Sequence, residues 1–329
     1  MNLESQNAVV DGAEHSPKSH RALVVRLIIC GAALFLLGSA AACASPPEAD
    51  PLPAGEVIFA KMCSAIESVS RGIVHVEDYS STDNHPSPLK STYVLTFDDS
   101  KGMLRCDTDR RSRRTKYVRN PAESLFQLLT PPQGITVNLP DHKYSDSDDH
   151  PLEPHILWFA GAGGYRFRQP YSHIIRQWRQ QAREATVSKD NRGRLLLRWT
   201  KRLQYDPANL IRTLIIDPAQ GYVPVVNKVA TMRTGLTEST INALSEIRYE
   251  KKNGHFVPVS LDMRENAVTI KVTCRWESVN EDIDPKVFTV EGFEPKKGTA
   301  IWDQKGPQPV LLRITGEAAP DGRGRQGPR

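Results

Sequence analysis

The stretch IIDPAQGYVPVV (215–226) is half repeated as GHFVPVS (254–260), and no other feature narrows the fold as far. Each copy reads as the second half of a β-hairpin. In the first, LIRTLII leads into DPAQG. There Asp217 bonds the backbone ahead of it, Pro218 presets φ, and Gly221 tolerates positive φ. In the second, SEIRYEKK leads into Asn253-Gly254, the strongest short hairpin signal. Pro224 and Pro258 cannot donate to a ladder, so each belongs at a strand start, an edge or a bulge. The repeat is therefore read as a structural device.

The same plan recurs in STYVLTFDDSKGMLRCDTD around Gly102 and in EATVSKDNRGRLLLRWTKRLQ around Gly193. GIVHVEDY, TKYVRN, GITVNLP, NAVTIKVTCRW, GTAIWDQ and PVLLRITG read as further strands. Strands joined by Gly-bearing turns predict an antiparallel meander rather than a βαβ sheet. The turns at Gly102, Gly193, Gly221 and Gly254 are each expected to close a hairpin.

Helices are few. PAGEVIFAKMCSAIESV places Val57, Ile58, Met62 and Ile66 at helical spacing, with Gly72 after its end. PYSHIIRQWRQQAREA sets Ile174, Ile175 and Trp178 against Arg176, Arg179 and Arg183, and EPHILWFAG is a shorter candidate. The predicted fold class is mainly β (α+β): one strongly curved antiparallel sheet, an incomplete β-barrel. Val57, Ile58, Met62, Ile174, Ile175 and Trp178 are expected on its concave face.

The N-terminal segment RALVVRLIICGAALFLLGSAAACASPPEAD has basic residues, then an apolar run, then small residues and a Pro-rich stretch, the plan of an export signal. SAAAC resembles a bacterial lipobox, so Cys43 is the expected lipidation site. Cleavage after Ala42 or Ala44 also fits, and the run 27–44 is long enough for an uncleaved single-pass anchor. All three place the body outside the cytoplasm, in the cell envelope. SPPEADPLP reads as a stiff spacer.

Composition adds little, with a net charge of +5. The basic run DRRSRRTKYVR (109–119) comes with no nucleic-acid-binding motif and is read as a solvated hairpin edge that blocks edge-to-edge pairing. Cys63, Cys106 and Cys274 are odd in number and form no C-x-x-C pair, which favours small buried thiols over a zinc or redox site. The cluster DHKYSDSDDHPLEPH holds His142, His150, His155, Asp146, Asp148 and Asp149. Its spacing matches neither an EF-hand nor a helical His pair, so it reads as an acidic surface loop. GAGGY (161–165) reads as a loop, not a dinucleotide turn. No G-x-S-x-G, H-E-x-x-H or phosphate-binding loop is present. No catalytic residue, metal or cofactor is expected.

An export signal, the helix EVIFAKMCSAIESV, hairpins such as TYVLTFDDSKGMLRCD, then KYVRN, a helical interruption and DPAQGYVPV hairpins together resemble the lipoprotein-carrier family, LolA and LolB. The resemblance implies an incomplete β-barrel closed by helices around an apolar cavity that accepts acyl chains. This chain is longer, through VFTVEGFEPKKGTAIWDQKGPQPVLLRITG. The organisation read from the sequence is an export signal or membrane anchor with a long N-terminal extension over 1–44, a Pro-rich spacer over 45–54, a LolA/LolB-like β-rich domain over 55–316 and a tail over 317–329, rich in Gly, Pro and Arg, that is expected to be disordered. Two functions follow: an envelope protein binding lipid or lipoprotein acyl chains, or a protein-interaction or sensor module on the same fold. Val225 is expected on the apolar inner face, with Val226 taking that place if Pro224 shifts the register.

Overall fold

A computed structural model describes residues 51–316, apart from 83–84, 111–112, 130–131, 138–151, 160–170, 203–207, 234–238 and 307. Cys43, the 27–44 run, the GAGGY stretch, the 317–329 tail and the His142, Asp146, Asp148, Asp149 and His150 cluster lie outside these residues. The chain divides after Pro51, and the unit from Leu52 to Arg329 carries every described element.

That unit opens with α1 (Gly55–Glu67), followed by β1 (Arg71–Thr82), β2 (His85–Asp98), β3 (Met103–Arg110), β4 (Arg113–Arg119), β5 (Ser124–Leu129) and β6 (Pro132–Val137). A 3-10 turn (Pro154–Trp158) and α2 (Tyr171–Ala182) interrupt the meander. It resumes as β7 (Thr186–Lys189), β8 (Leu195–Arg202), β9 (Ala208–Asp217), β10 (Val223–Arg233), β11 (Thr240–Lys252), β12 (His255–Glu265) and β13 (Val268–Val279). Two 3-10 turns, Pro285–Phe288 and Glu291–Phe293, lead to β14 (Ala300–Asp303) and β15 (Val310–Ile314).

All described strands join one curved, open sheet in the order β15-β14-β6-β5-β4-β3-β2-β1-β13-β12-β11-β10-β9-β8-β7. Every pairing is antiparallel except β14 with β6. The four turn glycines each close an antiparallel hairpin, with φ of 64°, 75°, 73° and 85° at Gly102, Gly193, Gly221 and Gly254. The edge strands β7 and β15 are short, which limits edge-to-edge association. The basic run 109–119 is not at an edge, because β3 and β4 are interior strands. It forms a hairpin end, where Arg114 pairs with Asp109 at 2.8 Å.

The repeated Val-Pro-Val builds one device twice. In β10 the pairing with β9 slips between Pro224 and Val226, leaving Val225 as a bulge. In β12 the pairing with β11 passes from Pro258 to Ser260, leaving Val259 as a bulge. The β10–β11 ladder begins only at Val226 and the β12–β13 ladder only at Ser260. In each case the next strand supplies an aromatic donor to the proline carbonyl in place of ladder bonds. The Tyr249 hydroxyl donates to Pro224 O at 2.7 Å, and the Trp276 indole N–H donates to Pro258 O at 2.9 Å. A buried carbonyl left without a donor would cost about 1–3 kcal/mol, so each proline needs its ring. Bulges increase local twist, and two of them on alternate strands help curl the sheet.

Both helices press on one face. Ile58, Phe59, Met62, Cys63 and Ile66 of α1 and Ile174, Ile175, Trp178 and Ala182 of α2 share a core with Val74, Leu95, Leu197, Leu214 and Val272. Val57 does not join them. It is 44% exposed, since Phe59 and Cys63 take the inward positions one step round the helix. Gly55 lets the helices cross closely: a Cβ there would meet the Ala182 carbonyl at 2.5 Å. Ser68 is the C-cap of α1, and Gly72 follows the helix end as expected, in β1, where a Cβ would meet the Ser278 carbonyl at 2.9 Å and the Trp276 and Phe97 rings. EPHILWFAG forms only a single 3-10 turn, although Pro154 to Trp158 are all buried.

The opposite face is covered at the other wing. Phe288 and Phe293, from the two 3-10 turns after β13, pack on Val118, Leu125, Ile135, Val137 and Ile301. In the β3–β4 register Val118 faces Arg105, whereas Tyr117 faces Cys106 of the helix-side core, so the two cores lie on opposite faces.

Candidate ligand site on the concave face

Beneath the helices the concave face holds a run of contacting rings. Centroid separations are 5.9 Å for Trp199–Trp178, 5.2 Å for Trp178–Phe159, 5.8 Å for Phe159–Tyr171 and 5.1 Å for Tyr171–His155. The run continues with His155–Trp158 at 6.0 Å, Trp158–Trp276 at 5.7 Å and Trp276–Phe97 at 6.3 Å. These edge-on and tilted contacts suit ring quadrupoles. His155 is fixed by the Val69 carbonyl at 3.0 Å and the Asp99 carboxylate at 3.4 Å from its Nε2. It is a buried structural histidine, and no metal-binding group of His, Cys, Asp and Glu forms among the described residues. Trp158 is fully buried, and its indole N–H has no partner.

A polar spot interrupts this face. Across the sheet, Leu197, Leu214, Asn227, Ser245, Met263 and Ile270 stand side by side on β8 to β13. Asn227 is 3% exposed and Ser245 0%, and neither the Asn227 amide nor the Ser245 hydroxyl has a hydrogen-bond partner among the described residues. Arg212 lies two residues before Leu214, on the same face. Its guanidinium lies 4.5 Å from the Trp178 ring centroid, and its shielded Nε is unpartnered. Burial alone pulls the guanidinium down to about 10, which leaves it cationic at neutral pH. Nearly all buried polar groups in folded proteins have partners, which sets these residues apart.

Sequence reading missed these residues. The signal was present: Arg212, Asn227 and Ser245 occupy inward-facing positions of LIRTLII, VVNKVAT and NALSEIR, where neighbours two residues away are apolar. Val225, expected inside, is the bulge residue and is buried at 8% exposure. Val226 stays in register with Ile215 and Glu246 and is half-buried.

The three cysteines in the described residues are free and buried. Burial pushes the Cys63 and Cys274 thiols up to about 12 and Cys106 up to about 11, which makes all three poor nucleophiles. An open groove of about 610 Å³ runs along α2, lined by Glu67, Tyr171, Ile175, Arg176, Arg179 and Arg183 among others. No described helix is long and apolar enough to cross a membrane.

No protein-family model matches the sequence, and no curated protein matches it. Solved structures do. One is a LolA superfamily protein from Nitrosomonas europaea, at 10% identity and TM-score 0.39, covering 73% of this chain and 100% of its own. Another is an outer membrane lipoprotein-sorting protein domain from Vibrio parahaemolyticus, at 9% and 0.43, covering 73% and 98%. A third is a DUF1329 family protein from Desulfovibrio piger, at 5% and 0.42, covering 72% and 97%. Scores of this size carry no functional argument. The solved structures similar to this chain thus include the LolA superfamily that its element order resembles, and the functional reading rests on its own residues.

Proposed function

We propose that this protein is an exported, membrane-held binding protein of the cell envelope that shelters an acyl-chain ligand on its concave face. The observation that carries the reading is the shielded row Asn227, Ser245, Met263 and Ile270: apolar on one side, polar and unpartnered on the other. A ligand with both characters would complete it. Each methylene taken from water would contribute about 0.8 kcal/mol, with no covalent step. Cys43, following the apolar run and three alanines, would be the lipidated mature N-terminus, with 45–54 as the spacer.

Native mass spectrometry of the full-length protein, released from membranes in mild detergent, tests the ligand. Wild type should carry lipid, and Met263→Glu should not while keeping its circular dichroism. Absence of lipid from wild type under conditions that preserve the fold would overturn the reading. Attachment is tested separately: labelled palmitate should enter wild type but not Cys43→Ser. Equal incorporation would favour the 27–44 anchor. A second reading, a protein-interaction module, draws on the exposed arginines of the α2 groove.

A further inference from the structure

Three polar residues share one patch of the inner face for reasons the fold does not supply. Asn227 and Ser245 are direct cross-strand partners, and Asn227 also faces Leu214. Arg212 pairs with Val229, two residues along β10 from Asn227, which makes it a diagonal neighbour on the same face. Arg212 makes no ion pair or hydrogen bond among the described residues, and its guanidinium lies against the face of Trp178. Two other half-buried arginines pair with carboxylates, Arg105 with Asp107 at 2.7 Å and Arg194 with Asp190 at 2.7 Å. Arg212 does not. Replacing Asn227 and Ser245 by apolar residues would suit the fold better, because their unmatched polar atoms lose water on burial and gain nothing in return.

The donor set is informative. A guanidinium, an amide and a hydroxyl on neighbouring strands offer donors to an acceptor-rich, negatively charged group, with the Asn227 Oδ1 beside them as an acceptor. The patch spans β9 to β11, three strands at about 4.8 Å spacing and so about 10 Å across. From Ser245 the row runs on to Met263 and Ile270, both 5% exposed and apolar, which would take a chain attached to that head. Trp178 and Trp199 wall the other side. We propose that Arg212, Asn227 and Ser245 recognise the oxyanion head, carboxylate or phosphate, of a single-chain amphiphile whose tail lies across Met263 and Ile270. This deepens the binding reading above and rests on it. Recognition is by charge-assisted hydrogen bonds in a shielded site, and the apolar row alone would not distinguish an acid from an alcohol.

The test uses the full-length chain, stripped of lipid and held in amphipol, titrated with decanoate, decyl phosphate, decanol, acetate and inorganic phosphate. Binding is followed by tryptophan fluorescence, since Trp178 and Trp199 border the patch. At least one acid-headed chain should bind about tenfold or more tighter than decanol, the size expected of a hydrogen bond to a charged group. Arg212→Met should remove that advantage and leave decanol binding unchanged. Asn227→Leu should weaken the acid-headed chain while melting no lower than wild type, a result that a purely structural role for Asn227 would not give. Equal binding of acid and alcohol, or loss of both in Arg212→Met, would overturn head recognition and leave the acyl-binding reading standing. Binding of acetate or inorganic phosphate as tightly as their decyl counterparts would show an ion site, not an amphiphile site, and would also overturn the proposal. If no chain binds, the acyl-binding reading fails and takes the proposal with it.

Discussion

The two cores of this sheet handle buried polarity in opposite ways. On the convex face, the segment after β13 is tied down by side chains that meet its carbonyls. Arg105 donates to Val287 O and Gly292 O at 3.2 and 2.7 Å, Lys116 to Phe293 O at 3.0 Å, and Asn120 to Phe288 O at 3.0 Å. Arg105 is itself neutralised by Asp107. Gln127, whose Oε1 is unpartnered, is an exception. On the concave face Trp158, Arg212, Asn227 and Ser245 all keep buried polar atoms without partners. The convex core meets its buried polar groups with side chains, Gln127 apart, whereas the concave core keeps several that no described residue partners.

The largest expected effect tests packing in the concave core. Trp178→Ala empties the contact among Phe159, Trp199 and Arg212, and should lower unfolding free energy by about 3–5 kcal/mol in guanidinium titration. Next comes Asn120→Ala on the convex side. Asn120 also accepts from the backbone of Ala122 and Glu123 at 2.9 Å each, so its loss should cost about 1–3 kcal/mol. Tyr249→Phe leaves Pro224 O without its donor and should cost about 1–2 kcal/mol by the same measurement.

Asn227→Leu is the sharpest comparison with Asn120→Ala. Both remove a side-chain amide, yet Asn227 has no partner among the described residues to lose, so its stability should stay within about 0.5 kcal/mol of wild type or rise. A loss matching that of Asn120→Ala would mean the concave amide is structural after all, and the contrast between the faces would disappear. Val57→Ser should fall within about 0.5 kcal/mol of wild type, because Val57 faces solvent.

Much of the fold was legible because it is written locally. Asn253-Gly254 and Asp217-Pro218 with Gly221 dictate their turns from adjacent residues, and alternation in NAVTIKVTCRW shows which side chains turn inward. Val57 was misplaced because helical spacing alone leaves the stripe free to rotate by one residue, and only contact with α2 and β10 selects Phe59 over it. The convex strap was not recognised, since Phe288 and Phe293 sit in two short 3-10 turns with no period to detect. β5 (Ser124–Leu129) lacked alternation and flanking turn glycines, and was missed.

What the sequence determined by itself is the antiparallel meander and its hairpins, because turn chemistry and period-two patterning act over a few neighbouring residues. That bulges, among the places open to Pro224 and Pro258, are what stand beside them was decided by the strand pairing. What only the tertiary structure decided is which chain-distant groups share a surface. Arg212 finds Trp178 instead of a carboxylate, Tyr249 and Trp276 find the proline carbonyls, and Asn227 and Ser245 find each other's strands but no hydrogen bond. Such meetings depend on strand order and curvature, which are properties of the whole sheet and are not carried by any one segment of it.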